Sequence, residues 1–445
     1  MTGIIMFFAA LVMLTIGYPV AFTFGSVSIF FGIIAAVVEL QSDATLILVS
    51  EEFFQMFSMM PFRIYTIMNN TILMAIPLFI YMGIILQKSD LAERLLEAMG
   101  ALFGKIRGGV AVSTVLVGTL LAASTGVVGA SVVAMGVISL PVMLKYGYSK
   151  RLSTGTICAA GTLGQIIPPS IVLIILGDVF QQPVGDLFQA AVWPGLALVV
   201  CYVIYILCVS FFNKDAAPPI PLDDDVTRSQ NIKKALIAIL PPLTLIVMVL
   251  GSIFAGIATP TESASVGSVG AMVLAAMYRK LSWRVIEESA LETVKITAMV
   301  FAILIGATAF SMVFVYSGAD YIVEDVLTNL PGQKWTFLLL SMAAIMLLGF
   351  FIDFIEISYI VVPILLPIVD IIGLNPLWFA ILIAMNLQTS FLTPPFGFSL
   401  FYLKGVCPPE VRTTDLYRGV IPFIIIQALV LLSIVIFPEV YGFSQ

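Results

Sequence analysis

Long apolar stretches recur along the whole chain and are separated by short polar joints. There are about ten of them, and each approaches the ~20 apolar residues that a membrane-spanning helix requires. Of the 445 residues, 60% are hydrophobic and only 10% are charged, whereas a soluble domain has about 25% charged residues. Backbone polar groups inside a bilayer must be satisfied within the protein, so helices are the expected element. The sequence therefore predicts an all-α integral membrane protein.

The composition argues against several classes of function. The formal net charge is -6 and there is no basic cluster, so the chain lacks the electrostatic footprint of a protein that binds nucleic acid. It has no histidine, which is the usual general base of hydrolases and a common zinc ligand. The HExxH and GxSxG motifs are also absent, so an enzyme is not expected. The four cysteines have no CxxC spacing and are interpreted as packing residues.

The chain contains an internal repeat, visible in two Pro-Pro pairs. One pair lies in Gly164-Gln-Ile-Ile-Pro-Pro-Ser170 and the other in Ser390-Phe-Leu-Thr-Pro-Pro-Phe-Gly397. The offset between the two pairs also separates Pro141 from Pro367, so one duplication explains both observations. Each half has an amphipathic segment followed by an apolar run that is interrupted at its centre. Paired interrupted segments in corresponding halves are the sequence pattern of a secondary transporter.

These features divide the chain into two related halves. The first half, residues 1–212, is predicted to contain N-terminal scaffold helices, a re-entrant hairpin and a broken helix. A polar linker follows at 213–234, and the second half, 235–445, contains another hairpin, another broken helix and a C-terminal helix. The predicted hairpins and broken helices lie at about 108–146 and 151–178 in the first half, and at about 335–372 and 376–404 in the second. The N-terminus lacks the basic start of a signal peptide, so it is expected to form membrane helices.

Positive charge sets the expected orientation, because short cytoplasmic loops are enriched in Lys and Arg. Basic residues flank the opening of the first hairpin: Lys105, Arg107, Lys145, Lys150 and Arg151. The second hairpin has only Lys334 before it, so its opening is expected to face the periplasm. The two halves are therefore predicted to be inverted in the membrane, with the linker in the cytoplasm and both termini outside.

The proline-interrupted helices predict a binding site at membrane depth. A proline inside a helix frees backbone carbonyls and amides, which can then hold an anion at a half-helix N-terminus or a sodium ion on unwound carbonyls and hydroxyls. The first candidate cluster comprises Ser124, Thr125, Gly126, Ser131, Gly164, Gln165, Pro168, Pro169 and Ser170. Its partner in the second half comprises Ser358, Gln388, Thr389, Thr393, Pro394, Pro395 and Gly397. The alternative is that these residues only shape helix packing, but their recurrence favours a functional role.

Two carboxylates stand in an apolar run of the second half. Asp353 and Glu356 are three residues apart, so on a helix they share a face. A carboxylate at the bilayer centre costs at least ~2.5 kcal/mol on insertion scales, which favours a role in handling an ion, a proton or a substrate. Exposure to a water-filled vestibule is the alternative. Asp178 and Lys404 follow the broken helices and are expected near opposite membrane surfaces.

Three segments carry a resemblance to a known family: Leu163-Gly-Gln-Ile-Ile-Pro-Pro-Ser170, Ala258-Thr-Pro-Thr-Glu-Ser263 and Leu392-Thr-Pro-Pro-Phe-Gly397. Nearly the whole chain resembles the large membrane subunit of tripartite ATP-independent periplasmic (TRAP) transporters. The resemblance implies an elevator-type carrier in the bacterial inner membrane, in which hairpins and broken helices move against a scaffold. It also implies import of an organic acid, usually driven by sodium, with a periplasmic binding protein and a small membrane subunit as partners.

The family's site residues can be carried over by position. Its hairpin tip falls on Thr125, Gly126, Val127 and Val128, its first broken-helix motif on Pro168, Pro169 and Ser170, its second hairpin acid on Asp353, and its second broken-helix motif on Thr393, Pro394 and Pro395. The resemblance places sodium near Thr125, Gly126, Ser170, Asp353 and Thr393. Sodium is a coupling ion here, and no cofactor is expected. Many relatives have further serines where this chain has Val127 and Val128, so sodium at that tip would depend more on carbonyls.

Two other functions remain open from the sequence. A self-sufficient carboxylate carrier of a related elevator type would use the same hairpin geometry without a binding protein. An intramembrane enzyme or a purely structural subunit is disfavoured by the lack of histidine and by the paired broken helices. The substrate is open among a 2-oxo acid, a dicarboxylate, another organic acid and a polyol, and the coupling ion is open between sodium and the proton.

Overall fold

Every element in the described part of the chain is a helix or a helical turn. The computed structural model describes residues 1–40, 45–126, 128–220 and 228–443. Within these ranges seven helices are long and apolar enough to cross a membrane, and one bent pair of helices would add an eighth. The all-α membrane fold is thus confirmed. Full-length spans are fewer than the expected number of apolar stretches, because several stretches form shorter helices that end at a break.

The helices of the first half fall into two consecutive sets. The first set is α1 (Thr2–Ile16), α2 (Val20–Leu40), α3 (Leu46–Met56), α4 (Met60–Met68), α5 (Ala75–Lys88) and α6 (Leu91–Phe103). The second set is α7 (Gly109–Thr125), α8 (Val128–Lys145), α9 (Lys150–Thr162), α10 (Ile171–Val179) and α11 (Val184–Phe212). Between α9 and α10, the two parts of the first broken helix, the chain makes a 3₁₀ turn at Leu163–Gln165.

The second half follows the same order. Its first set is α12 (Arg228–Phe254), α13 (Pro260–Met277), α14 (Trp283–Tyr316) and α15 (Ala319–Thr328). Its second set is α16 (Gln333–Leu348), α17 (Phe354–Glu356), α18 (Val362–Ile372), α19 (Pro376–Leu392), α20 (Phe398–Val406) and α21 (Thr413–Ile436). A π-helical turn at Ile357–Val361 joins α17 to α18, and a 3₁₀ turn at Pro438–Tyr441 follows α21.

Corresponding sets of the two halves pack together. We call α1–α6 with α12–α15 the outer group, and α7–α11 with α16–α21 the inner group. In the outer group, α5 lies against α13 and α14, and α2 lies along α14. In the inner group, α9 contacts α7, α8 and α21, while α19 contacts α11, α16 and α21. Each half therefore contributes equivalent elements to each group.

Small side chains place the first broken helix at the centre of the inner group. Every residue of α9 from Leu152 to Thr162 is buried, and most are Ser, Thr, Gly or Ala. Small residues let membrane helices approach closely. A Cβ atom added at Gly155 would overlap the backbone carbonyl of Gly419 in α21. The tight contact between α9 and α21 therefore depends on the absence of a side chain at position 155.

Ion pairs connect the α5–α6 bend to α14 and to the turn between α13 and α14. The helices α5 and α6 meet at 59°. The Nζ atom of Lys88 lies 3.3 Å from Glu288 and 3.6 Å from Glu292 of α14, and Lys280 pairs with Asp90. The amphipathic helix α6 then leads from the outer group into α7 of the inner group, as α15 leads into α16. A groove of about 530 Å³ remains between α6 and the first hairpin, α7 and α8.

The predicted linker at 213–234 is partly wrong. Residues 228–234 belong to α12, and residues 221–227 lie outside the described part of the chain. The segment before them packs on the opening of the α7–α8 hairpin, where Gly108 N–H donates to the Ala217 carbonyl at 3.1 Å and Ser149 N–H donates to the Ala216 carbonyl at 2.9 Å. The polar, proline-rich composition predicted a linker between the halves. The backbone contacts were not predicted, because they join distant positions and leave no local sequence signal.

Candidate binding site

The two broken helices stabilise their breaks in the same way. Each contains a cis Pro-Pro peptide bond. In the first, Ser170 Oγ donates to the Gln165 carbonyl at 2.6 Å, and in the second, Ser399 Oγ donates to the Phe391 carbonyl at 2.9 Å. A hydroxyl that donates one hydrogen bond keeps its own lone pairs. These oxygen atoms therefore remain able to bind a cation.

Two threonine hydroxyls and one glycine line the approach to the second break. Thr389 Oγ1 donates to the Met385 carbonyl at 2.8 Å, and Thr393 Oγ1 donates to the Thr389 carbonyl at 2.7 Å. Gly397, at the start of α20, has φ +41°, and a Cβ atom there would lie 3.0 Å from the Thr393 carbonyl. Only glycine permits this combination of positive φ and close approach. The break thus brings hydroxyl and carbonyl oxygens together at the N-terminus of α20.

The tip of the α7–α8 hairpin meets the first break. Gly126 ends α7 with φ +60°, and a Cβ atom at this position would lie 3.3 Å from the Pro169 carbonyl. Val127 and the side chains of Ser124 and Thr125 are outside the described residues. The predicted roles of those three residues therefore stay predictions, while the backbone places Gly126 beside the broken helix.

The second hairpin tip carries the predicted acid. Asp353 Oδ1 accepts a hydrogen bond from the Phe354 N–H at 2.7 Å and so caps α17. Before it, Gly349 packs against Ser390 of α19 so closely that a Cβ atom would overlap the serine hydroxyl. The π-helical turn at Ile357–Val361 follows directly. Such turns often occur at functional sites.

Several polar atoms near the breaks are buried without a partner. Gln165 and Gln388 are both 0% exposed, and neither end of either amide has a hydrogen-bond partner in the described structure. The Oε2 atom of Glu356 and the Oγ atom of Ser358 are buried in the same way. An unsatisfied buried polar group costs about 1–3 kcal/mol, and in native proteins it often marks an ion or water position. Each of these four side chains therefore has an oxygen atom available to an ion or a water molecule.

A cavity of about 410 Å³ lies where both hairpin tips and both broken helices face the outer group. The inner group contributes Gly126, Val128, Gly129, Ala130, Val133, Ile171, Asp353, Phe354, Ile355, Phe391, Phe398 and Tyr402. The outer group contributes Ile80, Gln87, Glu292, Ile296, Met299 and Val300. No Lys or Arg is among these lining residues. The cavity wall is therefore mainly apolar and aromatic, with one carboxylate from each group.

The predicted residues divide into those that line the cavity and those that do not. Gly126 and Asp353 line the cavity. The other predicted residues whose side chains the structure describes are outside this lining: Ser131, Gly164, Gln165, Pro168, Pro169, Ser170, Glu356, Ser358, Gln388, Thr389, Thr393, Pro394, Pro395 and Gly397. Asp353 is the N-cap of α17 and Glu356 is its last residue, so the two carboxylates stay close together at one helix end, with Asp353 at the cavity and Glu356 buried at 2% exposure.

Sequence reasoning missed three polar residues of the cavity. Gln87 and Glu292 come from the outer group, and Tyr402 comes from α20. The sequence shows Glu292 as one of several acids at the start of a long helix, which is typical of a surface position. Its place in the cavity depends on how α14 packs against the inner group, and no local pattern reports that packing.

Asp178 is more enclosed than expected for a residue near the membrane surface. Its Oδ1 accepts a hydrogen bond from Asn70 Nδ2 at 2.5 Å, and its Oδ2 accepts one from the Tyr359 hydroxyl at 3.1 Å. Lys404 donates from Nζ to the Val411 carbonyl at 3.0 Å and does not line the cavity. Asp178 thus joins three chain segments that the sequence had not connected.

Comparison with known proteins gives one consistent family. The model of the DctM component of the tripartite ATP-independent periplasmic transporter matches residues 7–440. The chain is 32% identical over 380 residues to the C4-dicarboxylate TRAP transporter large permease protein DctM of Pseudomonas aeruginosa, covering 85% of this chain and 87% of that protein. It is also 32% identical to the ectoine TRAP transporter large permease protein TeaC of Halomonas elongata over 375 residues, covering 84% and 86%.

A more distant relative and two solved structures extend the comparison. The sialic acid TRAP transporter large permease protein SiaM of Vibrio cholerae is 27% identical over 372 residues, covering 83% of this chain and 85% of that protein. The YdaH transporter of Alcanivorax borkumensis matches with a TM-score of 0.64 at 12% identity, covering 96% of this chain and 98% of that one. MtrF of Neisseria gonorrhoeae matches with a TM-score of 0.61 at 10% identity, covering 94% of both chains. At these identities the two structures show a shared fold.

Proposed function

The chain belongs to the DctM component family of tripartite ATP-independent periplasmic transporters, and from this premise we propose that it imports a small organic acid together with sodium. The family makes the chain a subunit of a secondary transporter and not an enzyme, as predicted. Family membership and the apolar spans also confirm a multi-pass protein of the bacterial inner membrane.

The observation that carries the proposal is the cavity between the two groups. Ile171 and Phe398 are the first residues of α10 and α20, and both line it. The N-terminus of a half-helix presents free amides and a positive dipole end, which favour a carboxylate. A carboxylate held there needs no Lys or Arg side chain, and the neighbouring rings and aliphatic groups fit the body of a small organic molecule.

Three of the relatives support a carboxylate as the anionic group of the substrate, whereas another relative, 30% identical, is named for isethionate, a sulfonate. These three are named for C4-dicarboxylate, sialic acid and ectoine, and each of these molecules carries a carboxylate. For the substrate of this chain we propose only the carboxylate, and not the rest of any relative's substrate. The remaining shape of the substrate depends on the cavity wall, in which Phe354, Phe391 and Phe398 favour an organic acid with some apolar surface.

Sodium fits the oxygen-rich breaks behind the cavity. Ser170 and Thr393 keep hydroxyl lone pairs next to unwound carbonyls, and the Gln165 and Gln388 side chains offer buried oxygen atoms without a partner. Carbonyl, hydroxyl and amide oxygens are the ligands that unwound membrane helices supply to sodium. Asp353, at the cavity, contributes the negative charge that a cation would balance.

The proposed movement is an elevator step of the inner group past the outer group. The substrate cavity lies between the two groups, and α6 and α15 connect them. On α5 and α14 the cavity extends to Gln87 and Glu292, beside the Lys88 ion pairs. The distribution of Lys and Arg favours the cytoplasm for this end, and we propose that substrate is released on that side.

Two partners complete the proposed transporter. The family description is tripartite and periplasmic, so this chain is one of three components. We propose a small membrane subunit beside the outer group and a periplasmic binding protein that delivers the organic acid. A self-sufficient carrier is the alternative function.

Reconstitution in vesicles tests the proposal. This chain is purified with the candidate small subunit, placed in proteoliposomes, and supplied with radiolabelled organic acids and candidate binding proteins under an inward sodium gradient. Uptake that requires sodium and the binding protein supports the proposal. Equal uptake without any binding protein would establish the self-sufficient carrier, and uptake driven by a pH gradient in potassium buffer would replace sodium with protons.

A further inference from the structure

Asp178 links the two groups on the side of the cavity away from Gln87. Its Oδ1 accepts from Asn70 Nδ2 at 2.5 Å, and its Oδ2 accepts from the Tyr359 hydroxyl at 3.1 Å. Asp178 lies in the last turn of α10, and Tyr359 lies in the π-helical turn of the second hairpin, so both belong to the inner group. Asn70 precedes α5 and belongs to the outer group. One carboxylate therefore makes one bond within the inner group and one bond between the groups.

Asn70 is itself fixed in place. Its Oδ1 accepts hydrogen bonds from the N–H groups of Ile72 and Leu73 at 2.9 and 3.4 Å. The amide can therefore turn only its Nδ2 toward Asp178. A hydrogen bond to an ionised acceptor is shorter and roughly twice as strong as one between neutral groups. The contact between the groups is thus both oriented and charge-assisted.

The Asn70–Asp178 contact and the cavity lie at different positions along α5. Along α5, the lining residues run from Ile80 to Gln87, whereas Asn70 lies before the start of the helix. A helix rises 1.5 Å per residue, so Asn70 is on the order of 10 Å beyond Ile80, away from Gln87. The cavity lining reaches Gln87 near the C-terminal end of α5, and the hydrogen bond between the two groups lies beyond the opposite end.

We propose that the Asn70–Asp178 hydrogen bond holds the inner group in the orientation seen here, and that Asp178 is a positioning residue of the transport cycle. The inference rests on the proposed elevator movement. When the inner group moves past α5, the bond from Asn70 breaks, whereas the bond from Tyr359 travels with the inner group. The strength of the first bond therefore sets the balance between the two orientations.

Exchange of donor and acceptor tests this bond. Asn70→Asp keeps an oxygen for the Ile72 and Leu73 amides but removes the donor to Asp178, and Asp178→Asn removes the charged acceptor. The double variant, Asn70→Asp with Asp178→Asn, restores a hydrogen bond with its direction reversed. Tyr359→Phe is the matched control, because it removes the bond on the other oxygen of the same carboxylate, within the inner group.

The readout is the accessibility of the cavity from each side of the membrane. A cysteine at Ala130, a lining residue, is labelled with a membrane-impermeant maleimide in inside-out and right-side-out vesicles at pH 8, and the labelling of the unsubstituted chain is subtracted. Each single variant is expected to lower the ratio of cytoplasmic to periplasmic labelling rates about tenfold. The double variant is expected to recover most of that ratio, and Tyr359→Phe to leave it unchanged.

The proposal is overturned if the single variants keep the wild-type ratio, or if the double variant falls below both. A variant that loses its fold is recognised by its melting temperature, and Asn70→Asp, which lies in a connecting segment and keeps its amide contacts, then decides alone. The measurement needs no substrate and no ion gradient. Failure of sodium-driven uptake in the wild type would therefore refute the proposed function without affecting this test.

Discussion

At Asp353, one substitution can remove the negative charge of the side chain and keep its role as a helix cap. Its Oδ1 caps α17 by accepting from the Phe354 N–H at 2.7 Å. Asn at this position keeps an oxygen for the cap and removes the negative charge from the cavity. A charged partner contributes about 1.5–3 kcal/mol, so we expect Asp353→Asn to lower sodium-driven uptake at least about tenfold. Expression and melting temperature in potassium chloride should stay close to wild type.

Asp370→Asn is the control for that prediction. Asp370 lies on the same hairpin, at the far end of α18, and is exposed and away from the cavity. The same chemical change there should leave uptake intact. Wild-type uptake by Asp353→Asn in proteoliposomes would remove Asp353 from the site.

Gln388 distinguishes an ion ligand from a packing residue. Its amide is fully buried with no partner in the described structure, so Gln388→Leu relieves an unsatisfied group worth about 1–3 kcal/mol. We expect Gln388→Leu to melt at or above the wild-type temperature in potassium chloride and to lose the rise in melting temperature that sodium produces. A ligand that binds only the folded protein stabilises it by RT ln(1 + [L]/Kd).

Gln427→Leu provides the comparison for Gln388. Gln427 is also 0% exposed but contacts Thr162 at 3.5 Å from α21, away from the second break. Its substitution should preserve the sodium response. If Gln388→Leu retains the full response, the sodium site does not include that side chain.

The sequence predicted some of these residues and missed others for a definable reason. Asp353 was found because a carboxylate in an apolar run is costly wherever the helix lies, and the Pro-Pro segments were found because they recur. Glu292 and Tyr402 acquire their place only when α14 and α20 pack around the cavity. Such a position depends on contacts between distant segments, which a single sequence does not report.

At the scale of elements, the interruptions within helices were easier to predict than the residues at which helices begin and end. Proline and glycine interrupt helices locally, so both broken helices and both interrupted apolar runs could be inferred from composition. The start of α12 at Arg228 was missed because a polar first turn resembles a linker. The bond from Asn70 to Asp178 joins residues 108 positions apart, and nothing in either local segment indicates it.

The contact between α9 and α21 gives a prediction at this scale. A side chain at Gly155 would overlap the Gly419 carbonyl, and forced overpacking costs about 1–3 kcal/mol or more. We expect Gly155→Val to lower the melting temperature in detergent and to reduce the yield of monodisperse protein. Gly251→Val is the control, since a Cβ atom at Gly251 in α12 meets nothing within 4 Å. Equal stability of the two variants would contradict the close packing of α9 on α21.

At the scale of the molecule, two groups of helices enclose one cavity, and the proposed transport requires them to move past each other. The groove between α6 and the first hairpin offers a test away from the substrate, because Glu97 of the outer group and Val142 of the inner group both line it. A cleavable bismaleimide between Glu97→Cys and Val142→Cys should lower uptake at least about tenfold, since an elevator step is a rigid-body displacement of one group. Cleavage of the linker should restore it.

A second cross-link isolates movement between the groups from any effect of the reagent. Asp90 and Lys280 form an ion pair within the outer group, so a bismaleimide between Asp90→Cys and Lys280→Cys joins elements that keep their positions in an elevator step. Uptake should continue when Asp90→Cys and Lys280→Cys are cross-linked. It should be lost when Glu97→Cys and Val142→Cys are cross-linked. If both linked proteins transport at the wild-type rate, the inner group does not slide past α6, and substrate must cross by smaller movements of the hairpin tips around a fixed cavity.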